Sequence, residues 1–190
     1  MGVPVDSSFI SSVAVDPSDA SIAYATVATF GGPHVYRSTN GGLNWDPIDG
    51  TGGDTIPDVP AHWIAIRPGK SNQLFVGTEI GVFESDDTGA TWHPAGVGLP
   101  TTVCESLQFQ DPDTLVVFTH GRGSFVTDLP ADPCSEADLA EPFGILDLAD
   151  ITAFVSAFLA GDASADLNDD GVFDLSDIVA FVTAFNAGCP

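Results

Sequence analysis

SDDTGATW (residues 85–92) and, 47 residues earlier, STNGGLNW (residues 38–45) are two versions of one turn. Each follows a short apolar stretch with an aromatic centre, Val82-Phe83-Glu84 or Val35-Tyr36-Arg37, and each reaches a proline within two residues of its tryptophan. In the later copy, Asp87 can accept hydrogen bonds from amides of its own turn, Gly89 can supply a positive φ, and Trp92 can pack beneath the hairpin. The earlier copy has Asn40 in place of Asp87 and Asn44 in place of Thr91. A turn that recurs at such an interval marks a chain built from repeated supersecondary units.

Outward from these turns, alternating or β-branched runs continue to residue 130: ISSVAV, HVYRST, HWIAIRP, QLFVGTE and TLVVFTH among them. Gly, Pro, Asn and Asp clusters separate the runs, the pattern of an all-β antiparallel meander. A third unit, residues 106–129, has three strand-like runs and no copy of the turn. The pattern S-x-D-x-G-x-T-W, matched at every specified position by residues 85–92, resembles the Asp-box (BNR) repeats of sialidase-like and sortilin-like β-propellers. THGRG (119–123) looks like the ending of the last blade in such proteins. The resemblance implies that residues 1–130 are about three propeller blades, the last incomplete. Rings typically need about four to eight blades. Three leave an open edge, which further N-terminal sequence or another subunit should cover.

Past the proline-marked linker LPADPC (129–134), the period changes. Leu148, Ile151, Phe154, Val155 and Phe158 have helical spacing, and so do Leu175, Ile178, Phe181, Val182 and Phe185. DLADITAFVSAFLAG (147–161) and DLSDIVAFVTAFNAG (174–188) agree at eleven of fifteen positions. Each helix follows an acidic loop. In DLNDDGVFDLSD (166–177), oxygen-bearing side chains occupy positions 1, 3, 5, 9 and 12 with glycine at 6, the ligand schedule of a twelve-residue calcium loop. Asp174 and Asp177 also suit the N-cap and N3 positions of a helix, and Asp166 and Asp170 suit turns.

A tandem of loop–helix units with cysteine at both ends, closing on Gly188-Cys189, resembles a dockerin, a C-terminal module of secreted bacterial proteins. Residues 131–190 are therefore expected to be a small α-helical domain that folds with Ca²⁺. The resemblance implies side-chain ligands from Asp166, Asn168, Asp170 and Asp177, the Val172 carbonyl, and Asp174 directly or through water. In the earlier loop, Asp138, Asp147 and Asp150 correspond to Asp166, Asp174 and Asp177. Ala140 replaces Asn168, and Glu141-Pro142-Phe143-Gly144 carries one extra residue, so a second site there is expected to be weaker. A cohesin-like or other extracellular scaffold protein is the partner implied, with a glycan as a further possibility. Loop positions 10 and 11, Leu175-Ser176 and Leu148-Ala149, are more apolar than the pair usual in cohesin-binding dockerins. The phenylalanines at 154, 158, 181 and 185 read as the core between the helices.

Catalysis by this chain alone is not expected. Sialidase chemistry implies an arginine triad and a tyrosine nucleophile, and this chain offers Arg37, Arg67 and Arg122 with Tyr24 and Tyr36. Arg37 adjoins the first turn and Arg122 lies in THGRG, positions with structural explanations. His34, His62, His93 and His120 lack metal-ligand spacing, and His120 and Arg122 share a glycine-rich turn. Xyloglucan-cleaving glucanases also join Asp-box propellers to a dockerin, but their site lies between two propellers. The alternative reading is thus a C-terminal fragment of a secreted glycoside hydrolase acting on polysaccharide, with its active site in other sequence.

Composition sets the remaining bounds. Of 27 acidic residues only five are Glu, against four Lys and Arg, for a net charge of −23. That sign excludes a nucleic-acid binder and suits a cation-rich extracellular setting. No apolar run reaches the roughly 18 residues that span a bilayer. MGVPVDSSFISS has no signal-peptide pattern, so an extracellular protein of this sequence is expected to be the C-terminal piece of a longer precursor. Cys134 and Cys189 bracket the two loops and are expected to pair, leaving Cys104 as a buried small hydrophobe.

Overall fold

The computed structural model describes residues 9–95, 99, 101–131 and 133–189, and the signal-peptide reading of residues 1–12 falls mostly outside them. The chain divides into two compact units, Met1–Leu129 and Pro130–Pro190.

The first unit is a succession of antiparallel sheets. The first sheet runs in sequence order through β1 (Ile10–Val15), β2 (Ala23–Val27), β3 (Val35–Ser38) and β4 (Asp46–Pro47). A two-stranded ribbon, β5 (Gly50–Thr51) with β6 (Asp54–Thr55), leads to the second sheet. That sheet is β7 (Ala61–Arg67), β8 (Lys70–Thr78), β9 (Gly81–Ser85) and β10 (His93–Pro94). The third has three strands, β11 (Cys104–Asp111), β12 (Thr114–Thr119) and β13 (Gly123–Asp128). The two-residue strands β4, β5, β6 and β10 are too short to carry a period and were not legible in the sequence.

Alternation along β8 explains how the sheets stack. Successive strand side chains point to opposite faces. Leu74 and Val76 therefore join Ile64, Phe83 and Trp92 in one core with Tyr24 and Val35 of the first sheet. Phe75, between them, joins Val82 in a second core with Leu107, Leu115 and Val117 of the third sheet. The second sheet is thus buried on both faces. Burying side chains of this size stabilises by roughly 1.5–3 kcal/mol each. Cys104 fills the second core, buried and unpaired, and burial pushes its thiol up to about 12. It packs so closely on β8 that a Cβ at Gly77 would meet its Sγ at 2.6 Å. Arg67 clamps the same two sheets. Its guanidinium is buried and donates to the Pro112 carbonyl at 2.8 Å, to Gln73 Oε1 at 2.7 Å and to Asp113 Oδ1 at 2.6 Å.

The two turns share one hydrogen-bond plan. Asp87 Oδ1 accepts from the Thr91 amide at 2.9 Å and the Ser85 hydroxyl at 2.8 Å, while Ser85 Oγ accepts from the Gly89 amide at 2.8 Å. The Thr91 amide is the leading cause among the bonds that hold the Asp87 carboxyl below its ordinary range. In the earlier turn, Asn40 Oδ1 accepts from the Asn44 amide at 2.9 Å and Ser38 Oγ from the Gly42 amide at 2.8 Å. The tryptophans then part ways. Trp92 is 1% exposed and donates its indole N–H to the Ile48 carbonyl, directly after β4 of the first sheet, at 2.6 Å. Trp45 is half-buried and donates to Gly42 of its own turn at 3.0 Å.

The second unit consists of α1 (Leu148–Ala160), a 3-10 turn at Ala163–Ala165, and α2 (Leu175–Ala187). Each helix opens with a reciprocal capping box, Asp147 with Asp150 and Asp174 with Asp177. Gly161 ends α1 in the left-handed conformation, φ 66°. Phe154 and Phe181 stack at 4.2 Å between the helices, surrounded by Ala137, Leu139 and Phe158 from one repeat and Ala165, Leu167 and Phe185 from the other. Only part of each apolar run turns inward. Leu148, Ile151 and Val155 of α1 are exposed, and so are Leu175, Ile178 and Val182 of α2. The reason is size: two helices stacked through a few phenylalanines cannot cover more than one stripe each. Cys134 and Cys189 are joined in a disulfide.

The turn glycines give a direct test. At Gly89, φ is +92° and a Cβ would meet Ile48 Cδ1 at 2.5 Å; at Gly42, φ is +85° and the nearest atom would be Trp45 Cζ2 at 3.7 Å. Gly42→Ala therefore carries only backbone strain, about 1 kcal/mol. Gly89→Ala adds overpacking and should lose about 2–4 kcal/mol in all. Denaturant unfolding followed by tryptophan fluorescence checks the order; equal losses would mean that the Ile48 contact is soft.

Candidate metal-binding loops and a buried histidine

The loop at 166–177 is wound by its own side chains. Asp166 accepts amides from both oxygens, Asp170 N–H at 3.2 Å and Gly171 N–H at 2.8 Å. Asn168 Oδ1 also accepts from the Asp170 amide, at 3.1 Å, and its Nδ2 donates to Asp170 Oδ2 at 2.9 Å. Asp170 Oδ1 accepts from the Val172 amide at 2.8 Å. These short-range bonds need no regular secondary structure, only Asx chemistry and a residue tolerant of positive φ. Asp169, φ 55°, supplies it beside Gly171.

Asp177 ties the loop to its helix. It is fully buried, with Oδ1 accepting from the Leu167 amide at 3.0 Å and Oδ2 from the Asp174 amide at 3.0 Å. Asp150 does the same for the first loop, Oδ1 accepting from Leu139 and Ala140 and Oδ2 from Asp147. Burial pushes the Asp150 carboxyl up, but the amides of Asp147, Ala140 and Leu139 outweigh it and leave it below its ordinary range. Asp147 and Asp174 cap their helices through the amides of Ala149 and Ser176. Cap and turn chemistry thus accounts for Asp147, Asp150, Asp174 and Asp177 locally.

Asp138 is different. It is 2% exposed, and its Oδ2 accepts from the Cys134 amide at 2.8 Å and the Gly144 amide at 2.7 Å. Its Oδ1 is buried with no hydrogen-bond partner. Among the described residues, the one group of three candidate ligands with atoms within 4.8 Å of one another is Asp138 with Cys134 and Cys189. Those two sulfurs are bonded to each other. The acids of the 166–177 loop are brought onto one turn but not into such a cluster. Mutual repulsion opposes it: residues 130–190 contain no Lys, Arg or His to offset their acids.

In the β unit, the structure singles out a histidine that spacing did not. His34 is buried, with Nδ1 3.0 Å from Asp49 Oδ2 and Nε2 3.3 Å from Asp58 Oδ1, the latter without hydrogen-bond geometry. Asp49 also accepts the backbone amides of His34 and Val35. Burial alone would lower the imidazolium's stability, but the hydrogen bond and charge of Asp49, with Asp58 behind, raise its pKa above the ordinary value. The partners lie 15 and 24 positions away, which no motif marks. His120 instead stands exposed, 2.6 Å from Glu105 Oε1.

No protein-family model and no curated protein matches the chain. Among solved structures it is similar to an ancestral GH74 enzyme (23% identity, TM-score 0.48, 66% of this chain and 16% of that one). It is also similar to the GH74 xyloglucanase from Xanthomonas campestris (20% identity, TM-score 0.47, 63% and 22%). A third is YCF48 bound to a D1 peptide (15% identity, TM-score 0.50, 68% and 39%). All are β-propeller proteins, and the likeness to YCF48 shows that fold, as propeller-type blades without a closed ring. The chain spans less than two fifths of the length of each of these proteins.

Two outcomes follow from these contacts. A raised His34 pKa means that its contribution to stability is full below the unfolded value, about 6.5, and is lost as pH rises through the folded value. The fluorescence-detected stability of the β unit should therefore fall on going from acid to mildly alkaline pH, with the fall flattened in His34→Gln. Separately, opening the 55-residue disulfide loop by Cys134→Ala with Cys189→Ala should lower the second unit's stability by up to about 4 kcal/mol. Helical circular dichroism reads that change, and all three tryptophans, which lie in the β unit, should keep their midpoint.

Proposed function

We propose that residues 131–190 are a calcium-dependent, dockerin-like docking domain that anchors extracellular Asp-box propeller blades to a scaffold protein. The observation that carries the reading is Asp138, whose buried Oδ1 lacks a donor. A buried carboxyl oxygen without a hydrogen-bond donor costs free energy that a bound cation would recover. The side chains that the calcium-loop pattern nominates are oxygen donors, the choice of a hard ion such as Ca²⁺ rather than of zinc or copper, while the sulfurs beside Asp138 are held in a disulfide.

The loop residues keep acceptor capacity for such an ion, which would draw the acids of 166–177 closer together than they lie here. Each carboxylate oxygen of Asp166 and Asp177 accepts one amide and keeps acceptor capacity. Asp166, Asn168, Asp170 and Asp177 would hold Ca²⁺ by side chain, with the Val172 carbonyl and Asp174; Asp138, Asp147 and Asp150 would serve the first loop. Bound calcium supplies positive charge to an acidic unit that has none of its own. The protein's part is to transmit that order: Asp150 and Asp177 join each loop to the first turn of its helix. This fixes α1 and α2, whose exposed leucine, isoleucine and valine stripes would meet an apolar patch on a cohesin-like or other surface partner. A disulfide suits the oxidising setting outside the cell. The second reading, a piece of a secreted glycoside hydrolase, leaves this role intact and assigns the chemistry to sequence beyond these blades.

Calorimetric titration of the full chain with Ca²⁺ tests the proposal. Two ions are expected, with Asp166→Ala abolishing the tighter site and Asp138→Asn the weaker. No binding at about 1 mM Ca²⁺, the affinity range of extracellular modules, would reduce both loops to turn and cap chemistry.

A further inference from the structure

The second unit carries another kind of ligand chemistry where Cys134 and Cys189 meet. Their disulfide joins residues 55 positions apart at a Cα–Cα separation of 5.3 Å. Asp138 lies against it, with a carboxylate oxygen and both sulfurs within 4.8 Å of one another. The carboxylate is 2% exposed, and its Oδ2 already takes the Cys134 and Gly144 amides. Its Oδ1 is buried without a hydrogen-bond partner. Residues 130–190 contain no Lys, Arg or His, so no basic side chain of the unit can offset this acid.

What the three residues can bind depends on the oxidation state of the sulfurs. The thiolate is the form of cysteine that ligates metals, and two sulfurs bonded to each other offer none. Reduction transfers two electrons and two protons from a dithiol, itself oxidised to a disulfide, and leaves two thiols beside the bare oxygen. A divalent ion then displaces both thiol protons to solvent and forms two metal–sulfur bonds and one metal–oxygen bond. Two neutral thiols with one carboxylate carry one negative charge. Two thiolates and a carboxylate around a doubly charged ion carry the same, so binding buries no additional net charge.

The spacing suits zinc. With Zn–S bonds of about 2.3 Å, tetrahedral geometry sets the sulfurs roughly 3.8 Å apart, within reach of cysteines whose Cα atoms are 5.3 Å apart. Water takes the fourth position, as in other zinc sites with three protein ligands.

We propose that Cys134, Cys189 and Asp138 form a zinc site in the reduced chain, and that the disulfide decides which class of ion Asp138 can serve. With the sulfurs joined, only oxygen donors remain, the set that the calcium reading uses. With them free, thiolates select a softer ion. The link between Cys134 and Cys189 is kept in both states, as a disulfide or through the metal. The inference does not depend on calcium binding, because it uses neither the 166–177 loop nor the oxidised form.

Cobalt(II) in place of zinc provides the test, since thiolate ligation gives charge-transfer absorption and tetrahedral geometry gives strong visible bands. The full chain, reduced with a phosphine and moved to oxygen-free buffer, should take up one Co²⁺ with both signatures, and Zn²⁺ should displace it. The oxidised chain should show neither. Cys104 stays out of the reading, because it is buried in the β unit with its thiol pushed up to about 12. Asp138→Asn should weaken uptake by at least the roughly 10–100-fold that even an outer-shell partner contributes. Asp138→Cys separates a lost ligand from a damaged fold: its third thiolate should tighten binding and strengthen the charge-transfer band. No thiolate band in the reduced chain, the same band in the oxidised chain, or uptake unchanged in Asp138→Asn would overturn the proposal. Calcium titration of the oxidised chain is read separately, and its failure would leave these results standing.

Discussion

A β-strand has two faces, and β8 buries both. Leu74 and Val76 serve one core and Phe75 the other, so the packing of the first sheet and that of the third are fixed by one stretch of backbone. The remaining features of the β unit are consequences of this double use. Gly77 must lack a side chain because Cys104 presses on it, and Arg67 is buried because it bridges the sheets where they converge. Arg67 is tolerable there because every stated donor finds a carbonyl, amide or carboxylate oxygen; stripped of those partners, a buried charge is strongly destabilising.

The turns add stiffness rather than a site. Asp87 and Asn40 use their oxygens on amides of the same turn, which fixes where the following tryptophan enters. Whether that tryptophan becomes core depends on what lies beneath. Trp92 has Ile48 beneath it and Trp45 does not. The same local sequence thus yields a buried anchor in one repeat and a half-buried ring in the other.

In the helical unit the organising groups are acids. Asp150 and Asp177 are buried because each collects amides from both sides of its loop, making the first turn of a helix and the loop before it one structure. Asp166 has the same place in the repeat as Asp138, yet the two differ. Asp166 accepts from two amides through two oxygens. Asp138 takes both of its amides on one oxygen and leaves the other bare. The extra residue in the Glu141–Gly144 stretch changes which amides come within reach.

The sequence by itself determined what depends on neighbours along the chain. Strand alternation, the repeated turn, the helical phenylalanines, the capping aspartates and the change of period near residue 130 are all readable over a few residues, because turns, caps and amphipathic faces are short-range physics. Tertiary structure decided what depends on distant partners. It set His34 between Asp49 and Asp58, and Arg67 against Pro112 and Asp113. It left Leu148, Ile151 and Val155 in solvent although their spacing matches the core stripe, and it left Val13 and Val15 of the first sheet and Phe118 and Val126 of the third exposed. No local pattern carries such facts, since burial is a property of what packs on a surface and the same alternation is written for a covered strand and an uncovered one.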